Sequence, residues 1–278
     1  MTKLWSTAVS SVGPDSVILR GYPLEDVMQR LSFAGGAYLT IVGELPGAAQ
    51  TKMLDAMLCS LLDHGFVASS ITAARFIASG NPALSAAVAG GVLTAGANTI
   101  SPAHSAQFIS AARRRQLQLG VSAREVAVQV VAEELEAKRR IPGLGHPTYR
   151  GEDPRAVVLK QIAEETGYYG AHGELFEAIW AEFGEVTGKT SLCLNVDGRM
   201  ASIMLDMGLD ADEMLGFALI SVLPGIVAHS IEEIRSGSPL RVLPEDQYTY
   251  TGPPLRQLPD DVVSTSTQGR NGAATNGR

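Results

Sequence analysis

Residues 142–155 combine a flexible backbone with a histidine and two arginines. The run Pro142-Gly143-Leu144-Gly145-His146 is followed by Arg150, and the segment ends in Asp153-Pro154-Arg155. Glycine lets a backbone approach a ligand closely, and a histidine beside it can donate a hydrogen bond into that space. Asp-Pro is typical of a helix start, where the positive charge of Arg155 is unfavourable without an anionic partner. The segment indicates an anion-binding loop with a polarising histidine; the alternative is a glycine- and proline-rich turn with a surface histidine.

A second segment places a carboxylate at the end of an apolar run. It reads Ser191-Leu192-Cys193-Leu194-Asn195-Val196-Asp197-Gly198. A carboxylate held beside apolar surface has a raised pKa and can act as a general base. The structural alternative is that Asp197 only caps a helix from Gly198 to Met207.

Helical periodicity dominates the rest of the chain and predicts the elements that must position these two segments. Apolar residues recur at helical spacing, and glycine, proline or aspartate bounds most runs. The predicted helices are 51–63, 122–140, 155–165, 174–183 and 212–223. Ser122 followed by Glu125 is a capping-box pattern. Residues 17–19 predict a short strand, and the Gly/Ala-rich stretch 83–96, which has no one-sided apolar stripe, predicts a helix buried on all sides.

Composition and charge narrow the class of protein. The chain has 278 residues, is 45% hydrophobic and carries a net charge of -7, which favours a large core and disfavours nucleic-acid binding. Cys59 and Cys193 lie in apolar runs without metal-ligand spacing, which predicts two buried, reduced thiols and no metal site. No signal-peptide core is present at the N-terminus, and no stretch approaches the roughly 20 apolar residues of a membrane span. We therefore expect a cytoplasmic protein without a membrane partner.

Together these motifs resemble the citrate synthase superfamily. The loop from Pro142 through His146 to Arg155 resembles the family's oxaloacetate- and CoA-binding loop, and Asn195-Val196-Asp197-Gly198 resembles its catalytic aspartate segment. Other matching motifs are Ile18 to Asp26, Ala37-Tyr38-Leu39, Gly43 to Pro46, Asp63-His64, Ala228-His229 and Tyr250-Thr251-Gly252. The short length, Asn-Val-Asp-Gly and Asp-His-Gly are most similar to citryl-CoA lyases and to the citryl-CoA-cleaving module of ATP-citrate lyase.

The resemblance implies an all-α, two-domain helical fold that assembles as a homodimer or a higher homo-oligomer. A large domain would comprise residues 1–105 and 220–258, and a small inserted domain residues 106–219. Residues 259–278 are polar and rich in Gly, Ser, Thr and Asn, which predicts a disordered tail.

The resemblance also implies roles for individual residues. Asp197 would exchange a proton with the methyl carbon of acetyl-CoA, His146 would polarise the keto group of oxaloacetate, and His104 would stabilise the enolate oxygen. Substrate carboxylates would be bound by His64, Arg155 and Arg241. Contacts to CoA would come from Leu144, Gly145, Arg150 and Asn195. For His104 a surface position in a loop, and for His64 an ordinary helix-end cation, are the structural alternatives.

Two positions depart from the family pattern. Family members carry a carboxylate-binding arginine where this chain has Val222, and a second arginine, donated by the partner subunit, where it has Glu245-Asp246. A buried tricarboxylate without these partners would be poorly neutralised. Either the correspondence slips there, or the acceptor carries fewer carboxylates than oxaloacetate.

Three functions follow as hypotheses. The first is a lyase that cleaves citryl-CoA, or a related 3-hydroxy-3-carboxyacyl-CoA, to acetyl-CoA and oxaloacetate or another 2-oxo acid. The second is a citrate or 2-methylcitrate synthase that runs the condensation and then hydrolyses the thioester. The third is a non-catalytic CoA-binding homologue. In the first two the CoA thioester is the substrate, and neither a bound cofactor nor a metal is required.

Overall fold

Helices dominate the computed structural model, which describes residues 4–96, 98–100 and 102–258. Three short antiparallel strands open this part of the chain: β1 (Ser10–Val12), β2 (Val17–Leu19) and β3 (Tyr22–Pro23). The helices are α1 (Leu24–Arg30), α2 (Phe33–Val42), α3 (Ala48–Ser60), α4 (Ser69–Gly80), α5 (Leu84–Val92), α6 (Pro102–Leu119), α7 (Ala123–Glu136), α8 (Pro154–Thr166), α9 (Ala171–Thr187), α10 (Val196–Asp206) and α11 (Ala211–Ser236). The helical fold class and the strand at 17–19 are confirmed.

The predicted helix starts rest on side-chain caps. Ser122 Oγ accepts a hydrogen bond from the backbone N–H of Glu125 at 3.2 Å, and Glu125 Oε2 accepts one from the N–H of Ser122 at 2.8 Å. Asp153 Oδ1 accepts from the N–H of Arg155 at 3.0 Å and so begins α8. Each such cap satisfies a backbone donor that the helix leaves unpaired and contributes about 1 kcal/mol.

Helix α11 runs past the point where the sequence predicts its end. Pro224 lacks a backbone N–H and suggests an end at residue 223, yet the helix continues to Ser236. The helix packs against α3, α4, α5 and α6, and Ser221 Oγ donates to the carbonyl of Leu58 at 2.6 Å. Tertiary packing therefore outweighs the local cost of the proline.

The same helix corrects a second expectation. By length and composition α11 is apolar enough to cross a membrane, so the expectation that no stretch approaches this limit is wrong. Its buried polar side chains, among them Ser230 and Glu233, and its contacts with five other helices are those of a core helix, and such helices pass the same test.

The largest core lies where α2, α3, α6, α8, α9, α10 and α11 meet. Its biggest fully buried side chains include Met57, Phe176, Met200 and Phe217. A second apolar cluster joins α6, α7 and α9. Because α9 and α10 belong to the largest core, the helix that carries Asp197 is held in place by buried packing.

Two predictions about burial are wrong. Cys59 is exposed, because it lies on the same face of α3 as the exposed Lys52 and Asp55, and of the two cysteines only Cys193 is buried. Helix α5 is not buried on all sides within this chain, because only two of its described residues, Ala87 and Gly91, are buried. Its small side chains pack on α4 and α11, and the remaining surface faces outward.

The described residues up to Arg241 form one compact unit, and those from Val242 belong to a second. The described part of the second unit contains one turn of 3₁₀ helix, Glu245–Gln247. The division of the first unit into a large domain and an inserted small domain stays a prediction. The predicted disordered tail, residues 259–278, lies outside the described residues.

Candidate active site

The two segments singled out in the sequence lie side by side. Leu194 forms isolated β-bridges with Leu144 and with Glu152. The backbone N–H of Asn195 donates to the carbonyl of Gly143 at 3.0 Å, and its side-chain Nδ2 donates to the carbonyl of Gly145 at 2.8 Å. The loop that carries His146 is therefore fixed by backbone hydrogen bonds to the start of α10.

A close backbone contact reinforces this pairing. Gly143 has φ +86°, and a Cβ atom there would lie 2.7 Å from the Cα of Gly198 and 2.7 Å from Cζ of Phe176. Real Cβ atoms do not approach other atoms so closely, and a side chain at this φ is strained. Glycine at both positions is thus required for the two segments to touch.

Both segments open onto one cavity of about 230 Å³, which we term the active-site cavity. The side chains that line it come from the α3–α4 region, the loop before α6, the His146 loop, α8, the start of α10, and α11. Its described lining residues are Leu61, Asp63, His64, Val67, Ala68, Ser70, Ile71, Asn98, Thr99, Ile100, Gly145, His146, Pro147, Arg155, Asn195, Val196, Asp197 and Val222.

Two histidines meet in this cavity. Nε2 of His64 lies 3.0 Å from Nε2 of His146. His146 Nδ1 accepts hydrogen bonds from the backbone N–H groups of Thr148 at 3.1 Å and Tyr149 at 3.0 Å. An imidazole nitrogen that accepts carries no proton, so this pattern assigns the proton of neutral His146 to Nε2. Nε2–H of His146 then donates to His64 Nε2, and a ligand that displaces this contact would receive the donor.

Both imidazoles are held in the neutral form. Burial lowers the pKa of His64, and the positive charge of Arg155 lowers it further. Burial also lowers the pKa of His146, and the neighbouring His64 lowers it further by a smaller amount. At neutral pH His146 is therefore an uncharged hydrogen-bond donor, which is the form suited to polarise a carbonyl oxygen.

Asp197 lies in the first turn of α10 but does not cap it. The cap is Asn195, whose side-chain oxygen accepts from the N–H of Gly198 at 3.0 Å. The interpretation of Asp197 as a simple helix cap is therefore wrong. Burial raises the pKa of Asp197 to about 6, although Arg155 opposes the rise. A carboxyl group with this pKa can both donate and accept a proton near neutral pH.

Arg155 supplies the positive charge of the cavity. Its Nε and Nη2 donate to the two carboxylate oxygens of Asp153 at 3.0 and 2.7 Å, and Asp153 is fully buried. Burial alone would raise the pKa of Asp153, but the hydrogen bonds from Arg155 lower it overall. This pair fixes the guanidinium at the first turn of α8, where the sequence suggested an anionic partner.

Sequence reasoning did not assign a role to Tyr149, although it lies within the quoted loop. Its ring stacks on that of His146 with centroids 4.5 Å apart, and the guanidinium carbon of Arg155 lies 5.8 Å from the Tyr149 centroid. Tyr149 thus packs against two of the predicted site residues. Asp63, which belongs to the Asp63-His64 motif but was given no role, also lines the cavity, as do Asn98 and Thr99, which no motif marks.

The residues expected to contact CoA are brought together around the loop. Gly145 and Asn195 line the cavity, while the Leu144 side chain packs against the core. The exposed guanidinium of Arg150 donates to backbone carbonyls of its own loop, including that of Tyr149 at 2.9 Å. The arrangement leaves the assignment of these four residues to CoA a prediction.

Two predicted residues lie elsewhere. His104 is exposed in the first turn of α6 and is not among the described residues that line the cavity. Arg241 is held by Glu233, whose carboxylate accepts from its Nε at 2.6 Å and its Nη2 at 2.9 Å. Arg75 Nε donates to the same carboxylate at 2.7 Å. The roles of His104 in catalysis and of Arg241 in substrate binding stay predictions that the geometry of this single chain does not support.

Comparison with known proteins places the chain in a family. The citrate synthase C-terminal domain family matches residues 47–242. Citrate synthase 2 of Bacillus subtilis is 26% identical over 216 residues, which are 77% of this chain and 54% of that protein. The chain thus spans about half the length of the curated relatives it matches.

Solved structures extend the comparison to the fold. A citryl-CoA lyase from Hydrogenobacter thermophilus superimposes with a TM-score of 0.82 at 38% identity, covering 93% of this chain and 99% of that one. ATP citrate lyase of Methanosaeta concilii, solved with (3S)-citryl-CoA, gives a TM-score of 0.77 at 21% identity and covers 91% of this chain and 42% of that one. The second likeness concerns the fold alone. On the family match and the full-length likeness, this chain belongs to the citrate synthase family of enzymes.

Proposed function

We propose that this chain is a carbon–carbon lyase that splits a 3-hydroxy-3-carboxyacyl-CoA thioester, the class to which citryl-CoA belongs, into acetyl-CoA and a 2-oxo acid. The observation that carries the proposal is the meeting of Asp197, His146 and Arg155 in one cavity. A retro-aldol cleavage needs an acid for carbon, a donor for the carbonyl oxygen and a cation for the carboxylate, and these three side chains supply them.

The reaction balances with these groups. Arg155 binds the carboxylate on the tertiary carbon, and Nε2–H of His146 donates to the oxygen of the tertiary hydroxyl. The substrate thereby displaces the hydrogen bond between the two histidines, and its hydroxyl loses a proton to the lone pair freed on Nε2 of His64. The carbon–carbon bond breaks, its electron pair forms the thioester enolate, and the carboxyl proton of Asp197 passes to the enolate carbon. The products are acetyl-CoA and the 2-oxo acid, and the proton held by His64 returns to Asp197 through solvent.

The cofactor and partner follow from the same proposal. The CoA thioester is a substrate, contacted by Leu144, Gly145, Arg150 and Asn195, and the neighbours solved with citryl-CoA or with citrate and coenzyme A support this class of ligand.

Leu84 and Leu93, exposed by 40% and 83% at the two ends of α5, support a homodimer through this helix.

The test follows the CoA species. The purified chain is incubated with citryl-CoA and, in parallel, with acetyl-CoA plus one of several 2-oxo acids. Mass spectrometry then identifies the acyl-CoA products, while a thiol reagent reports free CoA. We expect acyl-CoA thioesters to interconvert without release of free thiol. Inactivity with every 2-oxo acid, in a chain that still binds acetyl-CoA, would instead identify a non-catalytic homologue.

A synthase is the second candidate, favoured by the likeness to Citrate synthase 2 of Bacillus subtilis. The carbon–carbon step uses the same groups in both directions, so the site does not separate the two activities. The synthase differs by hydrolysing the thioester. Free thiol produced in step with carbon–carbon bond formation would therefore identify a synthase.

A further inference from the structure

The active-site cavity carries a single fixed positive charge. Arg155 is the one lysine or arginine among its described lining residues. Two of the five N–H donors of its guanidinium, one on Nε and one on Nη2, are already occupied by the buried carboxylate of Asp153. The remaining donors, on Nη1 and Nη2, can pair with one carboxylate of a substrate.

Among the described lining residues of this chain there is no second lysine or arginine. The pKa values of His64 and His146 are both lowered, so these histidines are neutral at pH 7. In the tautomers that the hydrogen bonds assign, Nε2 of His64 carries no proton and accepts from Nε2–H of His146, so it is not a donor to a carboxylate. Arg241, the other arginine predicted to bind substrate, is paired with Glu233.

The cavity also contains negative charge. Asp63 and Asp197 line it, and Asp63 is 46% exposed with Oδ1 3.3 Å from Nε2 of His229. A substrate with two carboxylates on the 2-oxo acid half would bring one of them into a partly desolvated space without a fixed counter-ion and near these carboxylates. Such an arrangement is unfavourable because an ion loses hydration there without gaining a partner.

Besides polar residues such as Ser70, Asn98 and Thr99, the remaining lining contains an apolar wall. Ile71 belongs to a buried cluster with Ala74 and Ile226, and Val222 packs against that cluster from the cavity side. Leu61 and Val67 extend the same surface. This wall complements an alkyl group and offers nothing to a carboxylate.

We propose that the substituent on the tertiary carbon of the substrate is an uncharged alkyl group, so that the 2-oxo acid released or condensed carries one carboxylate, as pyruvate does. The proposal rests on the lyase function above and names its substrate class. Arg155 and His146 hold the carboxylate and the oxygen, and Val222 with Ile71 contacts the alkyl group. The bonds that form and break are those already given.

The deciding experiment compares two acceptors in the condensation direction. The chain is mixed with acetyl-CoA and either pyruvate or freshly prepared oxaloacetate, and the masses of the acyl-CoA products are recorded. Product mass separates true use of oxaloacetate from use of pyruvate formed by its decarboxylation. We expect kcat/KM for pyruvate to exceed that for oxaloacetate by about 100-fold, the size of effect that an unpaired buried charge produces.

The outcomes separate the two proposals. A preference for oxaloacetate overturns the substrate class and leaves the lyase function standing. Inactivity with both acceptors overturns the lyase function, and the substrate class with it. A preference for pyruvate supports both.

A pair of variants tests which wall sets the preference. Val222→Arg places a guanidinium at the cavity wall and should raise kcat/KM for oxaloacetate relative to pyruvate by at least about 10-fold. Val222→Leu, a change of shape without charge, should keep the wild-type order of the two acceptors. Thermal unfolding of both variants reports whether they fold. If Val222→Arg fails to fold, the comparison of pyruvate with oxaloacetate in the wild type still decides the substrate class. An unchanged ratio in folded Val222→Arg would overturn the role of this wall.

Discussion

Replacing Asp197 by asparagine should abolish activity and stabilise the fold, two effects of opposite sign from one change. The raised pKa of Asp197, about 6 against an ordinary value of 3.8, means that the folded chain holds the proton more tightly than the unfolded chain. At pH 7 about 9% of the carboxyl is then protonated, against about 0.06% for an unshifted aspartate. Burial thus increases the supply of the catalytic acid by about 140-fold.

The same shift sets the sign of the effect on stability. Because the folded pKa is raised, ionising Asp197 destabilises the folded state; the penalty is absent below pH 3.8 and complete above about pH 6. A shift of this size corresponds to at most about 3 kcal/mol at pH 8 and about 1.6 kcal/mol at pH 5. Asp197→Asn removes the charge and keeps the shape.

Urea unfolding of wild type and Asp197→Asn at pH 5 and pH 8 measures this directly. The free energy of unfolding of the variant should exceed that of the wild type at both values, by about 1.4 kcal/mol more at pH 8 than at pH 5. Asp63→Asn removes another carboxylate of the cavity and serves as the matched control.

Rates in the two directions give an independent check. Cleavage uses the protonated carboxyl, so its wild-type kcat/KM should fall about 50-fold from pH 6 to pH 8. Because the reaction takes up no net proton and condensation needs protonated His64 beside the carboxylate, condensation should fall in parallel. In Asp197→Asn both rates should fall by about 10³-fold. The reasoning is refuted if the variant is less stable than wild type at pH 8, or if cleavage speeds up as the pH rises.

Three further variants test other parts of the site. His146→Ala should lower kcat/KM for cleavage by about 10²–10³-fold, because the carbonyl oxygen loses its donor, and steady-state kinetics would detect it. Gly143→Ala should lower the free energy of unfolding by about 3 kcal/mol, while Gly151→Ala, which has a similar φ of +76° but open space around it, should cost only about 1 kcal/mol; equal losses would mean that the contact with Gly198 relaxes freely. His104→Ala should change kcat/KM less than about 10-fold because its side chain is exposed outside the cavity lining. A loss above about 100-fold would restore the enolate role that the resemblance implies.

Local sequence signals predicted the secondary-structure elements better than they predicted which elements pack together. The Ser122 capping box and the Asp153 cap depend only on neighbouring residues, so the sequence is enough to find them. The end of α11 and the exposure of Cys59 depend on which helices pack together, and no local pattern records that.

The site divides in the same way. His146, Arg155 and Asp197 lie in recognisable motifs and meet in the cavity as the resemblance implies. The stacking of Tyr149 arises from the conformation of the loop, and Asn98 and Thr99 enter the cavity from a segment without a motif. His104 matches a motif only loosely, and it is the catalytic candidate that lies off the cavity.

The contact between Gly143 and Gly198 determines which part of the cavity is able to vary. The contact joins main chain to main chain. The spacing between His146 and Asp197 that it sets therefore does not depend on the length of a side chain. Ile71 on α4 and Val222 on α11 also line the cavity, and there a substitution changes the side chain that the cavity meets. Among relatives of this chain, His146 and Asp197 should therefore keep their positions, while substitutions on α4 and α11 change the shape of the acceptor subsite.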